Sequence, residues 1–249
     1  MVGLAVDIGF LGGILCLEGG EGLDAAALAH RADLAGADLV VVPLGGDDRP
    51  GFTLEEARRV KSILRKPIAV ALRGTALLKE ALALHPREIL FLSEHGGPVP
   101  LDLAAAGTGL LAEATAKVRR SGSLPVVCVE PREAAVIAAQ DAGATAVEIC
   151  AGEFGAARTD DQAVEAHLRI TRAARAAADL GLRVRTGGGV AAPGRVSRLA
   201  EVPEVEQVRV GAGLLPCAMY EGIGAAVAAL RVEIERGARR GDRLAAEEE

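Results

Sequence analysis

The stretch that decides the fold joins the end of a helix to a buried strand, Ala142-Gly143-Ala144-Thr145-Ala146-Val147-Glu148-Ile149-Cys150. Gly143 is placed to end the preceding Ala-rich segment in a left-handed conformation. The apolar run over residues 144–150 is too short for a helix. Because it does not alternate cleanly with polar residues, both of its faces are expected to be buried, as in a parallel sheet.

The same alternation of short apolar runs and longer amphipathic segments extends in both directions. Eight runs are rich in aliphatic or β-branched residues: 3–7, 38–44, 67–72, 88–92, 125–130, 144–150, 182–186 and 206–210. The segments predicted to be helices are 24–35, 53–65, 76–84, 101–121, 131–141, 160–180, 192–201 and 216–236. Eight alternating units predict a (β/α)8 TIM barrel, which typically has about 250 residues. An open doubly wound sheet is the alternative, but it usually has fewer strands at this length.

Nothing in the composition divides the chain into separate domains. No linker rich in Pro, Gly or Ser interrupts the pattern, so we predict one barrel domain over residues 1–235. Residues 236–249, with an Arg cluster and a final run of glutamates, are expected to form a polar, partly disordered tail.

Charge and composition exclude several classes of function. A net charge of −6 and an aromatic content of 2% argue against a nucleic-acid-binding protein. No apolar run reaches the roughly 18 residues of a membrane span, and no signal peptide opens the sequence. Cys16, Cys128, Cys150 and Cys217 have neither metal-ligand nor Cys-x-x-Cys spacing. We therefore expect free thiols in a cytoplasmic protein, with no metal and no membrane partner.

Two glycine-rich segments follow the last two predicted strands. Thr186-Gly187-Gly188-Gly189 follows the seventh strand and Gly211-Ala212-Gly213 the eighth. Glycines there allow backbone N–H groups to approach an anion, and barrels often hold phosphate at these two loops. Gly187, Gly188, Gly189, Gly211, Ala212 and Gly213 are thus predicted to bind phosphate, although tight turns alone would also explain the glycines.

Carboxylates at strand ends are the candidate catalytic groups. Glu148 lies inside an apolar strand and predicts either a general acid/base or a buried ion pair, for which Arg185 on the next strand is the obvious partner. Asp7, at the end of the first strand, has the same two interpretations. Arg185 and Glu94 are candidate substrate-binding residues, because both lie near the carboxyl ends of strands.

The second half of the chain resembles the pyridoxine 5′-phosphate synthase family. The resemblance rests on the stretch at 142–154 with Thr159-Asp160, and on the stretches at 177–190, 202–205 and 208–215. It runs from about residue 140 to 232, and it continues more weakly in register toward the N-terminus.

The resemblance implies a TIM barrel that works as a homo-oligomer without a metal or organic cofactor. The family condenses 1-deoxy-D-xylulose 5-phosphate with 3-amino-2-oxopropyl phosphate in vitamin B6 biosynthesis, a transferase-type reaction. Asp7 and Glu148 match family residues. Where the family carries other His, Arg, Asn or Glu residues, this chain has Ala5, Ile8, Pro43, Gly45, Val70, Gly188 and Ala212.

These departures leave several functions open. The first is a divergent synthase-like enzyme that binds a phosphorylated metabolite and carries out altered chemistry. The second is a non-catalytic paralogue that binds such a metabolite or partners a true synthase. A third, weaker alternative is another phosphate-binding barrel such as a ribulose-phosphate-binding isomerase.

Overall fold

The computed structural model of the chain describes residues 1–11, 24–45, 51–93, 100–101, 108–190 and 193–248. Eight strands close into one barrel in sequence order, and every pair of neighbours is parallel. The strands are β1 Gly3–Asp7, β2 Leu39–Pro43, β3 Ile68–Arg73, β4 Glu88–Leu92, β5 Leu124–Val129, β6 Ala146–Cys150, β7 Arg183–Gly187 and β8 Val205–Val210. The predicted TIM barrel is confirmed.

Helices alternate with these strands and cover the outside of the barrel. Those in the described ranges are α1 Ala25–Leu34, α2 Leu54–Ile63, α3 Leu78–Ala83, α4 Thr108–Arg120, α5 Glu133–Asp141, α6 Gly152–Ala156, α7 Asp160–Asp179, α8 Pro193–Ala200, α9 Leu215–Glu221 and α10 Ile223–Glu248. A short 3-10 turn, Ala212–Leu214, precedes α9.

Capping residues and glycines in the sequence mark where helices begin and end in the structure. Thr53 begins α2 with a full capping box, in which its side chain accepts the N–H of Glu56 and the Glu56 carboxylate accepts the N–H of Thr53. Gly143, between α5 and β6, has a φ of 80°, as the sequence predicted. The decisive stretch is therefore a helix stop followed by a buried strand.

The apolar core consists of two layers, one inside the barrel and one between the strands and the helices. A small cluster fills the inside of the barrel: Ala5, Leu39, Val41, Ala69, Ala71, Leu90, Leu92, Val126, Cys128 and Ala146. A much larger cluster lies between the strands and the helices and includes the alternate strand residues. Because side chains alternate across a strand, Asp7 follows Ala5 on the inner face and Glu148 follows Ala146.

The C-terminal segment differs from its prediction. The single helix expected over 216–236 is interrupted at Gly222, whose φ is 85°, and the helix after it continues to Glu248. A partly disordered tail was expected from residue 236. Gly237 and Gly241 instead bring α10 against the backbone of Ser197 and Glu201 on and after α8. Without Cβ atoms at these positions the two helices can approach closely, which sequence periodicity alone did not show.

Candidate functional site

The carboxyl ends of the strands bring the predicted carboxylates together around an arginine. Arg209 on β8 donates from Nε to Glu148 Oε2 at 2.8 Å and from Nη2 to Glu148 Oε1 at 2.6 Å. Its third nitrogen, Nη1, donates to Asp7 Oδ2. The Glu148 side chain is 3% exposed, whereas that of Asp7 is 14% exposed and lies nearer to solvent.

In this cluster the positive charge of the Arg209 guanidinium lies against the carboxylates of Glu148 and Asp7. Burial alone would lower the pKa of the Arg209 guanidinium, but the carboxylates of Glu148 and Asp7 raise that pKa above its usual range. Asp7 Oδ1 also accepts the backbone N–H of Gly9 at 2.8 Å. Both oxygens of each carboxylate are thus already hydrogen-bonded.

The expected pairing of Glu148 with Arg185 is wrong. The two residues are direct register partners on β6 and β7, but Arg185 crosses the barrel interior to pair with Glu88 at the start of β4. Both of these side chains are 4% exposed. Because Arg185 is buried below the mouth and neutralised by Glu88, the geometry does not favour the substrate-binding role predicted for it. Glu94 lies outside the described residues.

Gly187 makes the Arg209–Glu148 pair possible. It lies on β7, between the two strands that carry the pair. A Cβ atom there would stand 2.8 Å from the Arg209 Cβ and 3.1 Å from Glu148 Oε2. The glycine therefore leaves room for an ion pair that spans a strand, a packing reason that sequence analysis did not anticipate.

The glycine loops after β7 and β8 are neighbours, because Gly187 and Arg209 are register partners. Gly188 and Gly189 have φ values of 77° and 78°, which favour glycine. Gly188 is buried, while Gly189 is exposed and packs against Gly152 and Gly155 of α6. Ala212 is exposed at the start of the 3-10 turn, whose first N–H groups have no acceptor within the turn.

The loop between β6 and α7 is tied by Arg195 to α8, the helix that follows the β7 loop. The Arg195 guanidinium donates to the carbonyl of Phe154 and, at 2.7 Å, to that of Ala157. It also lies 5.2 Å from the centre of the Phe154 ring. Helix α6 is thereby held against the glycine turn that was predicted to bind phosphate.

Two cysteines face the barrel interior beside the ion-pair cluster. The Cys128 thiol on β5 and the Cys150 thiol on β6 are hydrogen-bonded to each other, and Cys150 also accepts the backbone N–H of Gly152. From the sequence, Cys150 was predicted only to be a free thiol. Arg209 was not among the predicted site residues, although an arginine inside the apolar run at 206–210 is the same kind of signal as Glu148.

Strand β3, where the resemblance aligns Val70 with a glutamate of the family, has no acidic group on its inner face. Val70 packs in the outer apolar layer, so the residues of β3 on the inner face of the barrel are those at 69, 71 and 73. Ala69 and Ala71 cannot transfer a proton, and position 73 is an arginine, so none of the three is acidic. Whichever residue of β3 is aligned with the family's glutamate, this strand therefore offers no carboxylate to the barrel interior.

Residues 19–236 match the family model described as "Pyridoxal phosphate biosynthesis protein PdxJ". The chain belongs to this family. It is 27% identical over 232 residues to a pyridoxine 5′-phosphate synthase of Desulfatibacillum aliphaticivorans, covering 91% of this chain and 96% of that protein. A pyridoxine 5′-phosphate synthase of Coxiella burnetii (strain Dugway 5J108-111) is 26% identical over 242 residues, covering 94% and 98%.

Solved structures with low sequence identity share the fold of this PdxJ-family chain. KGPDC from Streptococcus mutans has a TM-score of 0.63 at 14% identity, covering 95% of this chain and 98% of that one. The tryptophan synthase alpha subunit from Legionella pneumophila str. Paris has a TM-score of 0.63 at 14% identity, covering 94% and 93%. These likenesses support the barrel and carry no functional argument.

No helix in the described ranges is long and apolar enough to cross a membrane. Within the same ranges, His, Cys, Asp and Glu side chains form no group of three or more that could hold a metal ion.

Proposed function

We propose that this PdxJ-family barrel binds a phosphorylated small metabolite and carries out chemistry other than the family's ring closure. The observation that carries the proposal is the pairing of two glycine-rich loops at the carboxyl ends of β7 and β8. Backbone N–H groups there suit a phosphate, because positive-φ glycines and the first turn of a helix present unpaired donors. Asp7 lies beside Gly211, within reach of a ligand on these loops.

The expected change of chemistry follows from the missing proton-transfer groups. The positions aligned with family histidines hold Gly188 and Ala212, and the inner face of β3 has Ala69, Ala71 and Arg73 but no carboxylate. Each lost acid or base group typically reduces a rate by about 10²–10⁴. Ring closure needs several proton transfers, so the family reaction is not expected at a useful rate.

Phosphate binding is tested by titration calorimetry with inorganic phosphate. Ala212→Asp places a carboxylate at the exposed edge of the proposed site, and we expect it to weaken phosphate binding by more than about tenfold. The matched control is Ala178→Asp, on an exposed residue near the end of α7 at the opposite rim of the barrel. Equal affinities in the two variants would place the anion elsewhere.

A second candidate function, a non-catalytic binding protein, is favoured by the Asp7–Arg209–Glu148 cluster. Its guanidinium engages the two carboxylates that an acid/base mechanism would need. The two functions differ when the chain is incubated with 1-deoxy-D-xylulose 5-phosphate and 3-amino-2-oxopropyl phosphate. Consumption of either compound, followed by ³¹P NMR, supports an enzyme with altered chemistry, and binding without consumption supports the second function. Rapid formation of pyridoxine 5′-phosphate would contradict both.

A further inference from the structure

Cys128 and Cys150 form a pair of thiols on adjacent strands at the mouth of the barrel. Cys128 is the register partner of Glu148, so Cys150 lies two residues farther along the same inner face. The two thiols are joined by a hydrogen bond. Nucleophilic side chains are thus paired at a place where neither the family resemblance nor the proposed phosphate site assigns them a role.

The two thiols differ in access and in charge state. Cys128 is completely buried, whereas Cys150 is partly exposed. The hydrogen bond from Cys128 and that from the Gly152 N–H lower the pKa of Cys150, against the opposing effects of burial and of Glu148. The same sulfur–sulfur contact and burial raise the pKa of Cys128. Of the two thiols, Cys150 therefore has the lower pKa and the better access to solvent, while Cys128 lies buried behind it.

We propose that Cys150 and Cys128 are a redox-active pair that a peroxide converts reversibly into a disulfide. The Cys150 thiolate attacks the outer peroxide oxygen, the O–O bond breaks, and the leaving oxygen takes up a proton to form an alcohol or water. The Cys128 sulfur then attacks the resulting sulfenic acid and releases water. Two thiols are oxidised by two electrons while one peroxide is reduced.

The strand register makes this disulfide easy to reduce. The cysteines are diagonal and not directly opposite neighbours, so bond formation has to draw the ends of β5 and β6 together. Disulfides that strain their surroundings have more oxidising potentials and are the labile ones. The pair therefore suits reversible oxidation better than permanent cross-linking.

The test uses the reduced full-length chain, hydrogen peroxide as the oxidant, and alkylation followed by tryptic mass spectrometry. Cys128 and Cys150 fall in separate tryptic peptides, 121–132 and 133–158. We expect the two peptides to become joined, with the loss of two of the four alkylatable thiols, and dithiothreitol to restore both.

Variants separate the pair from general thiol oxidation. In Cys128→Ala the sulfenic acid on Cys150 has no resolving thiol, so we expect dimedone to trap it at Cys150 and no joined peptide to form. Cys217→Ser, which changes a thiol on α9, is expected to form the joined peptide as the native chain does. The proposal is overturned if the folded native chain accumulates dimedone-reactive Cys150 without joining the peptides, or if Cys217 is oxidised first.

Discussion

Arg209 is the residue on which the inner polar cluster depends. It binds Glu148 through two nitrogens and Asp7 through the third, inside a barrel whose remaining inner surface is largely aliphatic. Charges removed from water are tolerated only when each has a partner. Removing the guanidinium would leave two carboxylates close together without a counter-charge.

Arg209→Met is expected to lower the free energy of unfolding by about 3–5 kcal/mol, because a buried Glu148 loses its partner. Urea unfolding followed by circular dichroism measures the change. The control is Arg183→Met, whose pair with Glu206 is exposed by 45% and 44% and is worth at most about 1 kcal/mol. Similar losses in the two variants would show that the inner cluster contributes no more than a surface pair.

Cys150 is expected to remain reactive toward iodoacetamide at a lower pH than Cys217. The hydrogen bonds from Cys128 and the Gly152 N–H, together with Arg209, lower the pKa of Cys150 against burial and Glu148. Loss of solvent and the carboxylate of Glu221 raise the pKa of Cys217. Because the thiolate is the reactive form, Cys217 should lose reactivity first as the pH falls. Peptide-resolved alkylation rates across the pH range check this order, and the reverse order would contradict it.

At the scale of elements, the loops after β6, β7 and β8 are organised by glycines and by Arg195. Gly187 makes room for an ion pair, and the Gly188–Gly189 turn packs on α6. Glycine-rich loops in barrels are usually interpreted as anion sites. Here Gly187 has a packing cause, so the proposed phosphate site depends on the other predicted residues, Gly188, Gly189, Gly211, Ala212 and Gly213.

Helix α10 offers a matched pair of glycines. A Cβ atom at Gly237 would collide with the Ser197 carbonyl, whereas one at Gly224 would meet no atom within 4 Å. Gly237→Ala is expected to destabilise the chain by about 1–3 kcal/mol in urea unfolding, because α10 must move away from α8. Gly224→Ala is expected to be neutral or to stabilise by up to about 1 kcal/mol, since alanine favours helices. Equal effects would mean that the contact between α8 and α10 is not close in solution.

At the scale of the whole molecule, the barrel closes through the pairing of β1 with β8, so the first and last strands share one sheet. The family resemblance implies a homo-oligomer. Large apolar side chains that remain exposed are consistent with that expectation, and Met219 and Tyr220 on α9 are 81% and 91% exposed.

We expect a native mass of two or more chains of 25.4 kDa each, because association would remove apolar side chains such as these from water. Light scattering coupled to size-exclusion chromatography measures this mass across a dilution series. A mass of one chain at all concentrations would contradict the prediction.

The sequence by itself determined the barrel, because the alternation of short buried strands and capped helices is a local pattern. It also indicated that Glu148, inside an apolar strand, needs a partner. It could not say which one. In sequence Arg209 lies 61 residues from Glu148 and 202 from Asp7, and only barrel closure brings the three together.

The tertiary structure alone decided the inner polar contacts. Long side chains in a closed barrel cross to non-neighbouring strands, so Arg185 meets Glu88 although Glu148 is its register partner. The packing reason for Gly187 and the contact of Cys128 with Cys150 arise in the same way. Periodicity shows which face a residue occupies, whereas the space left by its neighbours in three dimensions decides what it touches.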